Sequence, residues 1–192
     1  MDFNKTKKAL QDFGKNVVIA ARKNLKKKRI RRNGKSYPLV ASGQLDKSVD
    51  DKLKVSPNSL QLQFMYLDYG AYLDAGVDGT KKKYGERKYG LKKFSYKSQG
   101  NSLKGMPPTS SILKWVNKKR LRLRNKDTGK FMKGGQKSLA FLIARSIFWF
   151  GKKPSYWFSD AFESAYKKLP KEFIDAYALD VESFLDQTTQ IK

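Results

Sequence analysis

The sequence has no cysteine and no histidine. Without cysteine there are no disulfides, no thiol catalysis and no thiolate metal sites. Without histidine the commonest general base and the commonest metal ligand are missing. Ser-His-Asp and Cys-His hydrolases and His-based metalloenzymes are therefore excluded. Acidic residues are scarce: 17 Asp and Glu stand against 42 Lys and Arg, for a net charge of +25. Long apolar runs are missing too. The most apolar stretch, Leu139 to Phe150, carries Arg145 and is too short to span a bilayer. Met1-Asp2-Phe3-Asn4-Lys5 lacks the apolar core of a secretion signal. The chain is expected to be soluble and cytosolic in origin, with no membrane partner.

Hydrophobic residues make up 39% and aromatics 13% of the 192 residues, enough for a real core despite the charge. The length suits one domain, 1–192, with insertions. Charge is uneven along it. Residues 1–150 hold 36 basic and 10 acidic side chains, and residues 151–192 hold 6 and 7. A chain this cationic repels itself unless polyanions or acidic partners offset the field. The C-terminal segment is expected to pack or dock, and the rest to face nucleic acid or an acidic protein surface.

Leu10, Phe13, Val17, Ala20/Ala21 and Leu25 recur at helical spacing, so a helix is expected from Asn4 to about Lys28, weakened slightly by Gly14. Leu53 to Leu67 reads as a hairpin turned at Ser56-Pro57-Asn58-Ser59, with Leu60, Leu62, Phe64 and Tyr66 on one face. Asp68 to Thr80 reads as a turn-rich connection with one helical turn around Tyr72. The Lys- and Gly-rich segments 81–106 and 118–137 read as basic loop insertions, expected to be mobile in an isolated subunit. Between them a short helix begins at Pro107-Pro108-Thr109, with Thr109 as N-cap. Ser138 to Phe150 is the clearest helix. Leu139, Leu142, Ile143, Ser146, Ile147 and Phe150 form its expected core stripe. Phe148 and Trp149 lie on a second apolar face available to a neighbour. Two C-terminal helices follow, separated or kinked at Pro170, with a frayed tail at 187–192.

The basic stretches carry the strongest charge signal. Residues 22–35 hold nine cations, and residues 81–133 hold eighteen with only Glu86 and Asp127 as acids. Phosphates demand such charge, and the interleaved Tyr84, Tyr89, Phe94 and Tyr96 suit base stacking. No zinc spacing or RNP-type aromatic signature accompanies them. The alternative is a solvated basic face, or one docked on an acidic neighbour. Lys26, Lys27, Lys28, Arg29, Arg31, Arg32, Lys81, Lys82, Lys83, Arg120, Arg122 and Arg124 are the candidates for contact with DNA or an acidic partner. The four cations from Lys26 to Arg29 are expected to be dispensable for the fold. Asp74 or Asp78 with Glu86-Arg87-Lys88 imitates an Asp…Glu-x-Lys metal site. It falls between Gly85 and Gly90, without strand alternation, so no catalytic residue, metal or cofactor is assigned.

The most specific patterns are not catalytic. Ala41-Ser42-Gly43-Gln44-Leu45-Asp46-Lys47-Ser48-Val49 has the form small-Ser/Thr-Gly-x-Leu-x-x-Ser-aliphatic. Asp68-Tyr69-Gly70-Ala71-Tyr72-Leu73-Asp74-Ala75-Gly76-Val77-Asp78-Gly79-Thr80 follows. Then come Pro107-Pro108-x-x-x-Ile112-x-x-Trp115-Val116, the run Ser138 to Ile147, and Tyr156-Trp157-Phe158-Ser159-Asp160-Ala161-Phe162. This succession resembles the head–tail connector and tail-completion (neck) proteins of tailed bacteriophages, over somewhat more than half of the chain.

The resemblance implies a non-enzymatic virion subunit, assembled in the host cytoplasm. It would form a homo-oligomeric ring at the head–tail interface around the DNA channel. Its neighbours would be portal or adaptor and tail proteins. Leu139, Phe141, Phe148, Trp149, Tyr156 and Trp157 are the candidates for subunit contacts. The rival reading is a sequence-indifferent cationic nucleic-acid-binding protein packaged with the genome; a divalent-metal nuclease is a distant third. The expected fold is α+β: a small antiparallel sheet, a long N-terminal helix and packed C-terminal helices.

Overall fold

A computed structural model describes residues 3–32, 35–39, 43–56, 59–97, 103–125, 127–132 and 135–189. The elements in chain order are α1 (Asn4–Lys27), β1 (Arg29–Arg32), β2 (Lys35–Pro38), α2 (Gln44–Ser48), β3 (Asp50–Ser56), β4 (Ser59–Met65), α3 (Tyr69–Ala75), β5 (Val77–Asp78), β6 (Phe94–Ser95), α4 (Thr109–Lys118), α5 (Gln136–Phe150), α6 (Ser159–Tyr166) and α7 (Leu169–Thr189). The class is α+β, with a long N-terminal helix and small antiparallel pairings. The chain divides into two compact units. The first comprises residues 1–74 and 155–192, and the second residues 75–154.

In the first unit, β3 and β4 form the expected hairpin, with Leu53 opposite Leu62 and Val55 opposite Leu60. β1 and β2 form a second antiparallel pair, Ile30 opposite Tyr37. The turn residues Asn33-Gly34 and Pro57-Asn58, and Ala41-Ser42 of the first motif, lie outside the described residues. One face of α1 (Val18, Ala21 and Leu25) packs against Leu45 of α2, Val49, Leu73 of α3, and Trp157 and Ala161 at α6. Phe13 meets Phe64 and Phe162 edge-on. Gly14 explains itself here: a Cβ would stand 2.5 Å from Asp51 Oδ2 and 3.1 Å from Leu62 Cδ1. The residue that weakens the helix lets the hairpin approach it.

α6 and α7 are separated at Lys167–Lys168, and Pro170 sits in the first turn of α7, where its missing N–H costs nothing. α7 stays helical through Thr189, so the segment expected to fray starts inside it; residues 190–192 lie outside the described residues.

In the second unit α4 packs on α5. α4 begins at Thr109 with Pro108 as its N-cap. Thr109 is therefore inside the first turn, and no side chain caps it. Pro108 fixes an extended residue ahead of the helix without needing its own N–H. The buried residues at this contact are Val116, Ala140, Ala144 and Phe148. The row Ala140-Ala144-Phe148 is not the stripe expected from the sequence. Leu142 is 40% exposed, and Phe150 is exposed as well. A helix apolar nearly all round does not declare its inner face. Close packing chose the row with two alanines, because small side chains let two helix backbones approach.

The backbone 77–82 crosses 147–152 at close range. Val77 and Lys152 exchange two hydrogen bonds (2.8 and 2.7 Å), and the Thr80 and Lys81 N–H groups donate to Phe148 and Trp149 carbonyls at 2.9 Å. A Cβ on Gly79 would lie 2.1 Å from the Trp149 carbonyl oxygen, and one on Gly151 2.0 Å from that of Val77. The two glycines leave room for this crossing, and Gly151 also caps α5, its N–H donating to the Ile147 carbonyl at 2.7 Å.

Candidate functional site

Among the described residues, the candidate side chains fall on separate elements, and their charges are answered differently on each. Three buried carboxylates come first, because they show which charges the fold consumes. Asp74 accepts from the Phe158 N–H (2.8 Å), the Ser159 N–H (3.3 Å) and the Ser159 hydroxyl. It therefore caps α6 from α3, where Phe158 supplies no side-chain cap. Asp180 of α7 accepts from the Lys5 and Thr6 N–H groups and the Thr6 hydroxyl (3.1, 2.8 and 2.7 Å). That caps α1 from the far end of the chain. Burial works to raise the Asp180 pKa, but the Thr6 and Lys5 hydrogen bonds and the Lys5 charge outweigh it and hold the carboxyl below its ordinary value.

Asp78 faces Arg87. The Arg87 guanidinium donates to Asp78 Oδ1 (2.8 Å), to the Ala75 carbonyl and to the Gly85 carbonyl (2.9 Å), and the Tyr84 N–H adds a bond to Asp78 at 2.9 Å. Burial pushes the Asp78 pKa up, yet the bonds from Arg87 and Tyr84 and the charges of Arg87 and Lys83 lower it overall. Residues 81–97 are thus built around a buried arginine, rather than being a loop with little to hold it. In sequence Arg87 is one of the eighteen cations of 81–133, with nothing to mark it as buried. The Asp…Glu-x-Lys spacing does not assemble: Asp78 is engaged by Arg87, and Asp74 by α6. Among the described residues no group of three or more His, Cys, Asp or Glu could hold a metal ion. No helix among them is long and apolar enough to cross a membrane.

The candidates for subunit contact divide. Phe148 is 1% and Trp157 0% exposed, so both serve the cores of their own units. The Trp157 indole N–H donates to the Gly70 carbonyl at 3.0 Å. Phe148 has Ala144 at i−4 and Trp157 has Ala161 at i+4, small neighbours that leave room for the large rings. Leu139, Trp149 and Tyr156 are half-buried. Phe141 is 38% exposed. Arg145 lies between Phe141 and Trp149, its guanidinium carbon 5.6 and 4.7 Å from the two ring centroids, and Lys81 Nζ stands 4.1 Å over Trp149. These contacts make a ladder of alternating rings and cations along the outer face of α5.

The cationic candidates divide likewise. Lys28 does not lie free on a basic face. Its ammonium donates to the Ser155 (2.9 Å) and Tyr156 (2.8 Å) carbonyls and pairs with Asp160. It is a tie between α1 and the segment leading into α6, so removing it takes away internal contacts as well as a surface charge. Lys26 lies 3.3 Å from Asp46. Lys26 and Lys27, with Arg22, Lys23 and the exposed Ile19, line an open groove of about 360 Å³ on α1. Arg29, Arg31 and Arg32 run along β1, and their side chains lie outside the described residues. Lys81, Lys82 and Lys83 are exposed, with Lys82 over the Tyr84 ring at 5.5 Å. Arg120, Arg122 and Arg124 are exposed beyond α4, Arg124 over Phe131 at 4.5 Å. The charge separates with the units. Residues 75–154 hold 22 Lys and Arg against 3 Asp and Glu; the rest of the chain holds 20 against 14. The sequence split at residue 150 hid this, because the two halves of the first unit are far apart along the chain.

No protein-family model matches the chain, and comparison with curated proteins and with solved structures finds no similar protein.

Proposed function

We propose that the chain is a non-enzymatic structural subunit of a tailed-phage virion, assembling as a ring at the head–tail interface around the DNA channel. One observation carries this reading. Motif segments far apart in the chain supply the residues that close a single core: Leu45 from the first, Gly70, Leu73 and Asp74 from the second, and Trp157, Ser159 and Ala161 from the last. Three of the five motif segments therefore meet in one core, which supports reading them together. The segment 75–154 then adds a strongly cationic unit whose outer α5 face is apolar and aromatic. That combination suits a subunit with both a neighbour and a polyanion to meet. Purified particles tested by mass spectrometry, with the density located at the portal–tail junction, would support the reading. Absence of the chain from intact virions would end it.

A second reading rests on the same unit. Twenty-two cations against three acids, with exposed rings beside them, suit sequence-indifferent binding of nucleic acid. A monomeric protein that binds free DNA with steep salt dependence and stays out of particles would favour it.

A further inference from the structure

Among the described residues, two exposed helix faces are apolar and opposite in charge. The first is the outward face of α7. This helix carries one base, Lys171, and five acids, yet among its described side chains the one buried most fully is the charged Asp180. Its outward residues Ile174, Asp175, Ala178, Leu179 and Glu182 form two i, i+4 rows and are all exposed, Ile174 at 63%. The second surface is the α5 ladder of Phe141, Arg145 and Trp149, an i, i+4, i+8 row, with Lys81 over Trp149 and Leu142 alongside.

We propose that the acidic, apolar outer face of α7 in one copy docks on the cationic, aromatic ridge of α5 in the next copy, head to tail. This rests on the ring reading and names its subunit contact. A single i±4 ridge fits the groove between two i±4 rows, the commonest way for helices to pack. Ile174, Ala178 and Leu179 lie against Phe141, Leu142 and Trp149. Asp175 and Glu182 meet Arg145 and Lys81. Charge complementarity selects the occupant: in a chain of net charge +25, α7 is the long element with acids in excess. At physiological ionic strength the Debye length is about 8 Å, so the other cations of two copies repel weakly across such a contact. A nucleic acid on the α5 ridge would satisfy its cations but would leave Ile174 and Leu179 of α7 uncovered. Because the two faces differ, the contact is heterologous, and repetition closes a ring or extends a filament.

The test uses the full chain and reads mass by analytical ultracentrifugation at about 100 μM, where a micromolar contact is nearly saturated. The unaltered protein should self-associate beyond a dimer. Ile174→Asp removes the donor face and Leu142→Asp the acceptor face. Both positions are exposed, and circular dichroism checks their folding; Leu179→Asp and Phe141→Asp replace any variant that fails. Each variant alone should weaken association by at least about tenfold, as loss of a central interface residue does. An equimolar mixture of donor and acceptor variants retains one intact contact and should give dimers that grow no further. An unaltered protein that stays monomeric overturns the proposal, whether its faces are then covered within one chain or by nucleic acid. Folded variants that associate normally also overturn it. If those variants still form rings and enter particles, the docking proposal fails and the ring reading stands. If the unaltered protein never enters particles, the ring reading itself fails.

Discussion

Replacing Asp180 by alanine should release α7. The carboxylate is 6% exposed and accepts three hydrogen bonds from the first turn of α1. Removing it leaves the buried Thr6 N–H and hydroxyl without an acceptor, at about 1–3 kcal/mol each, partly offset because no carboxylate then needs burying. A net loss of about 3 kcal/mol is expected, or roughly a hundredfold in the local opening constant. Among the described residues, the other contacts of α7 include a Phe3–Tyr177 ring stack at 5.7 Å and half-buried apolar residues on α7. Hydrogen exchange should therefore show the α7 amides of residues 174–183 speeding up by about that factor, since a detached helix of this length frays. The α1 amides around Val17 to Leu25 should hold. The effect has a pH signature. Because the folded pKa is depressed, the stabilisation is fully present above the ordinary carboxyl value near 4 and is lost as pH falls through the folded pKa. The unaltered protein and the variant should thus converge in acid and differ at neutrality. Exchange in the variant within about twofold of the unaltered protein at pH 7 would refute the reasoning.

Arg87→Ala should destabilise the second unit by about 3–5 kcal/mol in urea titration followed by Trp149 fluorescence, because it strands buried Asp78; Arg87→Lys should recover little, having no planar fork. Gly79→Ala and Gly151→Ala should each cost at least about 2 kcal/mol in the same titration, since their Cβ atoms would overlap backbone and Gly151 sits at φ 62°, ψ −155°. Thermal unfolding should show Phe148→Asp far more damaging than Leu142→Asp, the reverse of what the apolar pattern of α5 suggests. Lys28→Ala should lower stability by about 1–2 kcal/mol through its tie to Ser155, Tyr156 and Asp160, whereas Lys27→Ala should change it by less than about 0.5 kcal/mol.

Much of the local structure was legible beforehand. The α1 stripe, the β3–β4 hairpin and the helices at 109, 136, 159 and 169 follow from apolar period and turn chemistry, which act over a few residues. The candidate surface was less so. Positive charge marks a residue as a candidate contact, but it does not say whether a carboxylate or carbonyl waits nearby. Lys28 and Arg87 look in sequence like their neighbours Lys27 and Lys88, yet the fold uses one pair internally and leaves the other exposed.

The sequence by itself restricted the available chemistry: without cysteine or histidine there is no thiol or imidazole group, whatever the fold. It also determined where helices and hairpin form, since backbone preference and amphipathic period are local. Tertiary structure decided which face of α5 turns inward, which cations become internal ties, and that Asp74 and Asp180 cap helices reached only through distant chain. Those outcomes depend on partners far apart in sequence meeting at distances of 3 Å, and no pattern within one segment encodes its partner's position.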